Sequence, residues 1–338
     1  MDAILLQVLN GLDKGGAYAL IALGLTLTFG TLGVVNFAHG ALFMLGAFCA
    51  VGMQELLTLS VKVRDESITF FEAYKEVPYL VTWFGDSGQM IIDWVVPISV
   101  LVAIPVMLLI GIAFERGLIR FFYNRPHAEQ ILVTFGLAIV LSELVKAGFG
   151  ANSIQVAAPE VVRGSADIGA MLGLEGNLTY PWWRLIYLLS SLTIIGAVFA
   201  FLNLTTYGMV VRAGMADRET VQFLGINIQR RFTIVFGLAA VVAGLAGVLY
   251  TPILPPNYHI GMDFLVLSFV VVVVGGMGSL PGAVAAGFLL GILQSFASLN
   301  EVKQILPGID QIIIYLVAVV VLLARPRGLL GRKGVMEA

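Results

Sequence analysis

The chain has 338 residues, 59% hydrophobic and 12% charged, with a formal net charge of −2. Soluble domains carry about 25% charged residues, so the composition excludes a soluble globular protein and predicts a polytopic membrane protein. A lone cysteine, Cys49, excludes a disulfide framework or a cysteine metal site. The near-neutral balance is uninformative about partners, and neither nucleic acid, metal nor cofactor is expected.

Met1-Asp2-Ala3 lacks a basic n-region, so no cleaved signal peptide is expected. Residues 15–54 then run for forty positions without Asp, Glu, Lys or Arg, with one His among them. Crossing the hydrocarbon core takes roughly 20 apolar residues at ~1.5 Å each, so this stretch predicts two passes, about 15–31 and 37–54. The turn between them holds the polar residues Thr31, Asn36 and His39. Irregular backbone near membrane depth is tolerated only when it is buried in protein or lines a watery cavity. The turn therefore reads as pathway lining, with Asn36, Phe37, His39 and Gly40 as candidates. A second reading of the same residues makes Asn36 an N-cap for the helix starting near Phe37 and gives His39 a bond to a neighbouring carbonyl.

Further apolar runs mark 95–114, 131–149, 185–204, 232–254, 262–278, 283–299 and 310–324. The expectation is an all-α fold of eight or nine spans in a single membrane domain over 1–338. The uncertain one is 262–282, where Gly275-Gly276-Met277-Gly278-Ser279-Leu280-Pro281-Gly282 breaks the helix. It reads either as a full crossing or as a re-entrant half-helix, and Gly276, Gly278 and Ser279 join the pathway candidates. Packing is the leading reading for most of these glycines, and Gly287 and Gly291 have the spacing that lets two helices approach closely. Both broken hairpins resume with a Gly-Ala pair, Gly40-Ala41 and Gly282-Ala283, which suggests an internal repeat.

Basic residues concentrate in three segments: Arg116, Arg120 and Arg125; Arg212, Arg218, Arg230 and Arg231; and Arg325, Arg327, Arg332 and Lys333. Together they are eleven of the 19 Lys and Arg. With nine spans all three fall on one face, which the positive-inside rule makes cytoplasmic, with the N-terminus outside and the C-terminus inside. The opposite face carries a long loop, 55–94, with seven acids against three basic residues. A second outer loop, 150–184, places Trp182 and Trp183 for an interface belt. Neither loop shows a domain pattern.

In the Arg-rich loop 205–231, Asp217 suits an N-cap or first turn and Gly225 a left-handed C′ position. Between them a short helix would present Val221 and Leu224 together at i, i+3. Two turns of helix do not hold in water, so it rests on its own spans or on a soluble partner, unless the loop is a solvated connector. No phosphate-binding Gly-x-x-x-x-Gly-Lys-[Ser/Thr] loop occurs, so ATP hydrolysis by that route is excluded. Glu143 and Lys146, at i, i+3, read as a self-neutralising pair, and no carboxylate relay is present.

The blocks Gly24-Leu25-Thr26-Leu27-Thr28-Phe29-Gly30, Val35-Asn36-Phe37-Ala38-His39-Gly40, Met44-Leu45-Gly46-Ala47, Leu224-Gly225-Ile226-Asn227, Gly275 to Ala283 and Arg325-Pro326-Arg327-Gly328-Leu329-Leu330-Gly331 follow one another along the chain. In that order they resemble the LivH-type permease of branched-chain amino acid ABC importers. The resemblance implies a non-enzymatic subunit of the bacterial inner membrane that carries branched-chain or other small neutral amino acids. Its partners would be a LivM-like sister permease, two cytoplasmic ATPases and a periplasmic solute-binding protein. It also implies that 212–227 is the coupling loop seated on the ATPase, through Arg212, Ala213, Asp217, Val221, Leu224, Gly225, Ile226 and Asn227. Two features depart from the family pattern: segment 55–94 is longer, and Ala41 stands where relatives often carry an acid. The alternatives are the same architecture importing urea or short amides and, from another class, an ion-coupled secondary transporter or a passive small-solute channel.

Overall fold

The structure is a computed structural model that describes residues 2–64, 74–123, 125–173, 178–216, 218–226 and 228–331. Nine long apolar helices dominate these residues: α1 (Asp2–Leu32), α2 (His39–Leu57), α5 (Val95–Gly117), α6 (His127–Phe149), α8 (Trp182–Leu204), α11 (Ile228–Tyr250), α12 (Ile260–Gly275), α13 (Leu280–Ala297) and α15 (Ile309–Ala324). Between them lie strands β1 (Ser60–Arg64), β2 (Tyr74–Pro78), β3 (Ser165–Asp167) and β4 (Thr179–Pro181), and short helices α3 (Tyr79–Phe84), α4 (Asp86–Asp93), α7 (Ile168–Leu172), α9 (Thr206–Ala216), α10 (Arg218–Phe223) and α14 (Asn300–Ile305). Six of the long helices have the length and composition to cross a membrane, while α12 and α15 are apolar but shorter, at 16 residues each. The protein is a polytopic helical membrane protein.

Close helix approach organises the bundle. Lipid tails are as apolar as leucine, so helices associate by packing, and small residues let backbones touch. On α1 a Cβ added at Gly11 would lie 2.5 Å from Ile292 Cα, and one at Gly15 2.8 Å from Phe288 Cα. From the other side, a Cβ at Gly287 would lie 2.7 Å from the Ala19 backbone and one at Gly291 would overlap the Gly15 amide. The Gly287/Gly291 spacing thus finds its partner in α1. Gly46 and Gly247 make the same close contact between α2 and α11. Helix α11 is the most enclosed, packed by α1, α2 and α5, whereas α6 and α8 turn most of their surface outward. At the centre Phe43 stacks on Phe264 with ring centroids 4.5 Å apart, and Tyr250 meets Tyr187 at 5.2 Å.

Polar side chains tie α1 to its neighbours. Tyr18 Oη donates to Gln294 at 2.6 Å and Ser295 Oγ to the Gln7 carbonyl at 2.7 Å. Asp13, wholly buried, pairs with Arg184 of α8 at 3.5 Å, and Arg184 also donates to Asn10 at 3.0 Å. Lys146 and Glu143 form the i, i+3 pair expected of them, at 3.3 Å.

The loops carry some regular structure, and one expectation about them is corrected. Strands β1 and β2 pair antiparallel and are followed by α3 and α4, and β3 pairs with β4 over the start of α1. Trp182 is partly exposed, but Trp183 is buried and donates through Nε1 to the Leu249 carbonyl at 3.1 Å. That carbonyl is among the last of α11 and has no intrahelical donor, so Trp183 closes a helix end in place of sitting in an interface belt.

The α1–α13 seam yields a direct test. Gly291→Val should destabilise the protein by about 1–3 kcal/mol through overpacking. Gly148→Ala, where nothing lies within 4 Å of the added Cβ, should leave it unchanged. Thermal unfolding of the purified protein in detergent measures both.

Candidate functional site

The first break lies deep in the bundle. His39 opens α2, yet its ring lies against Gly24, where a Cβ would be 2.5 Å from Nε2. Gly24 is eight residues before the end of α1, about 12 Å of helix. Gly33 N still donates to Phe29 O at the end of α1, and the chain then climbs back along α1 to His39. Side chains accept from two of the amides on the way. Phe37 N donates to Thr134 Oγ1 of α6 at 3.0 Å, and Ala38 N to Asn36 Oδ1 at 3.0 Å. Asn36 is buried but is not the expected N-cap: α2 begins at His39 and not near Phe37, its N-cap is Ala38 with no side-chain bond, and Asn36 closes only a local turn onto Ala38 N; its Nδ2 has no partner. The Phe37 ring sits between Phe135 and Phe269, at 6.4 and 5.5 Å. His39 is fully buried near the Ile21 carbonyl, and neither ring nitrogen makes a well-aligned hydrogen bond. Gly40 packs on the backbone of Gly261 in α12.

The second break, between α12 and α13, is held by the end of the chain. Gly276 and Gly278 have φ of +100° and +83°, a region glycine enters without Cβ strain. Ser279 is the N-cap of α13, its Oγ accepting from Gly282 N at 3.2 Å. The last carbonyls of α12 lack intrahelical donors, and residues after α15 supply them: Leu329 N donates to Val274 O at 2.8 Å and Leu330 N to Gly275 O at 3.1 Å. This closure needs glycine on both strands. A Cβ at Gly328 would lie 2.5 Å from Gly276 N, and one at Gly276 2.5 Å from Gly331 N. The tail clip was not anticipated from the sequence, although its glycines stand out there. The partners of Asn36, Phe37 and His39 come from α1, α2, α6 and α12, and those of Gly276 and Ser279 from α13 and the tail. The two breaks come together through Phe37 on Phe269, six residues before Gly275.

The Arg-rich loop holds a further helix, α9, folded against α8. Arg212 donates from Nη1 to the Leu202 carbonyl at 2.6 Å and also to Asn203, closing the end of α8. Arg231 lies over the Tyr207 ring, 3.9 Å from its centroid. Helix α10 stops at Phe223, and Gly225 takes φ +77°. Val221 and Leu224 do not share a face as expected. Val221 is buried, while Leu224 is 73% and Phe223 88% exposed. The helix ends one residue before Leu224, which therefore follows the turn and not the i, i+3 periodicity. Ala213 is exposed and Ile226 half-buried; Asp217 and Asn227 lie outside the described residues. Sequence reasoning also passed over buried Asp13 and Glu115, the latter accepting from Tyr123 Oη.

The model of one family, branched-chain amino acid transport system / permease component, matches residues 7–322. The chain belongs to this family. The permease is 28% identical over 330 residues to the high-affinity branched-chain amino acid transport system permease protein LivH of Salmonella typhimurium, covering 96% of this chain and 95% of that one. It is 29% identical over 336 residues to BraD of Pseudomonas aeruginosa, with the same coverage. A probable LivM of Methanocaldococcus jannaschii is 24% identical over 288 residues, 82% of this chain and 77% of its own. No solved structure matches. The LivH-type resemblance carried by the broken hairpins is thereby confirmed. The permease is a non-enzymatic transport subunit that works within a transporter complex, and a secondary transporter or passive channel is not favoured.

The tail clip has its own test. Gly328→Val combines a φ of +78° with a backbone collision, and strain of this kind costs about 1–3 kcal/mol before the lost hydrogen bonds. Thermal unfolding should drop and proteolysis near 325–331 should accelerate. A chain ending at Gly331 should match the full-length protein in both measurements.

Proposed function

We propose that this permease is one of two membrane subunits of an ATP-driven, binding-protein-dependent importer for branched-chain or other small neutral amino acids. The observation that carries this reading is the chain-long match to the permease family and to LivH and BraD. The partners are a LivM-like sister permease, two cytoplasmic ATPases and a periplasmic solute-binding protein. The membrane is the bacterial inner membrane, with 55–94 outside and the C-terminus in the cytoplasm. The alternation of nine helices supports this orientation, because it puts 118–126, 205–227 and the tail, with their arginines, on one side. The importer assembled in vesicles with its ATPases and binding protein should accumulate leucine, isoleucine or valine on ATP addition. Accumulation of urea or acetamide instead would move the substrate class.

The translocation route in this reading passes the first break. A partnerless Asn36 Nδ2 and a fully buried His39 whose ring nitrogens make no well-aligned hydrogen bond support it, since polar and ionisable side chains within a membrane are costly unless they serve a function. Asn36, Phe37, His39 and Gly40 line or shape the inner end, and Gly276, Gly278 and Ser279 form the neighbouring corner. His39→Leu should lower uptake by on the order of tenfold, about 1.4 kcal/mol of barrier, with complex assembly unchanged on size-exclusion chromatography. Uptake at the wild-type rate would reduce His39 to packing.

The ATPase seats on the loop carrying α9 and α10, with Arg212, Ala213, Asp217, Val221, Leu224, Gly225, Ile226 and Asn227 as its frame. Phe223 and Leu224 supply the exposed apolar contact, and Val221 holds α10 to the bundle. Burying two such side chains is worth roughly 3–5 kcal/mol. Leu224→Asp should detach the ATPase or abolish solute-stimulated ATP hydrolysis without affecting membrane insertion. Val221→Asp should destabilise the permease itself. Co-purification and hydrolysis in vesicles distinguish the two.

A further inference from the structure

Helix α5 enters the bundle without a loop: Trp94 ends α4, and Val95 and Val96 are already buried. The junction is fixed, because both carboxylate oxygens of Asp93 accept from Glu160 N at 2.8 Å and Asp93 also meets Arg163 at 3.5 Å. Helix α4 is eight residues long, about 12 Å. Helix α3 folds straight back on it, with the Leu80 carbonyl against Gly88. The pair is thereby held beside the point where a membrane-crossing helix begins.

The six residues of α3, Tyr79–Phe84, contain no charge. Trp83 is 69% and Phe84 59% exposed. Tyr79, whose ring lies 5.7 Å from that of Trp83, is exposed too, as are Met90 and Trp94. The adjoining β1–β2 hairpin is different, with Lys62, Lys75 and Glu76 exposed on its strands beside Val63 and Tyr74. Water tolerates a contiguous apolar patch of this kind poorly. Trp and Tyr rings, apolar in body and polar at the tip, are suited to the headgroup level of a bilayer, and a helix with an apolar aromatic face lies in that layer.

We propose that α3, with Trp94 and the exposed face of α4, is a membrane-surface anchor whose partner is lipid. The aromatic side chains enter the boundary between headgroups and acyl chains beside α5, while the charged β1–β2 hairpin stands in water above them. Covalent continuity with α5 favours lipid over a protein partner, because the patch adjoins the start of a membrane-crossing helix whose own exposed side chains, Leu101, Ile104 and Leu109, are apolar.

The test uses the full-length Cys49→Ala permease in phosphatidylcholine–phosphatidylglycerol vesicles, with a single cysteine introduced by Thr82→Cys, Trp83→Cys or Lys75→Cys and labelled with a polarity-sensitive fluorophore. Labels at 82 and 83 should emit blue-shifted and lose most of their intensity when the vesicles contain lipids brominated near the headgroup. The label at 75 should emit as in water and resist quenching. In a Thr82→Cys, Trp83→Asp, Phe84→Asp background the blue shift at 82 should vanish. Water-like, unquenched emission at 82 and 83 would overturn the proposal. A blue shift there that arises only when a solute-binding protein is added would also overturn it, making the patch a protein dock.

Discussion

A membrane interior has no water to take up a loose amide or carbonyl, and that constraint shapes every place where a helix of this protein stops. Where the chain runs unwound between α1 and α2, Thr134 accepts the Phe37 amide hydrogen and Asn36 that of Ala38. Helix α12 stops at Gly275 because Leu329 and Leu330 donate to its last carbonyls. Trp183 does the same for α11, and Arg212 for α8. Thr134, Trp183 and the Leu329–Leu330 backbone are distant in sequence from the groups they close, so both breaks and the end of α11 are determined by the whole fold and not by the local glycines alone.

Glycine has a different role inside the helices. Along α1–α13 and α2–α11 it removes the side chains that would hold two backbones apart, which gives close packing without a hydrophobic driving force. The enclosed α11 and the outward-turned α6 and α8 follow from this distribution. Gly136 and Gly148 on α6 meet nothing, whereas Gly40 and Gly46 on α2, Gly247 on α11 and Gly287 and Gly291 on α13 meet backbone.

The long apolar helices and both breaks were legible in the sequence, because about twenty uncharged residues have few alternatives and glycine clusters end helices. Gly225 was legible for the same reason: it carries the left-handed turn that only glycine accepts cheaply. The facing of short elements was not legible. Whether Val221 or Phe223 points inward depends on how α10 is seated against the bundle, and its six residues are too few for periodicity to decide. The β1–β2 hairpin was hidden because Ser-Val-Lys-Val-Arg alternates over only five residues in a charged loop. At the candidate site the polar residues could be picked from the sequence. Their holders, Thr134 and the 327–331 backbone, could not, since partners that far apart become neighbours only through the fold.

The pairing of Asp13 with Arg184 has a mechanical consequence. Sliding α1 along α8 by one helical turn, about 5.4 Å, would take Arg184 away from the wholly buried Asp13, and stripping a buried carboxylate of its partner is costly. The pair therefore works as a detent: it resists axial slip between α1 and α8 while leaving tilt about the contact comparatively free. Any displacement between α1 and α8 is thereby directed towards tilt about this contact and away from a change of register.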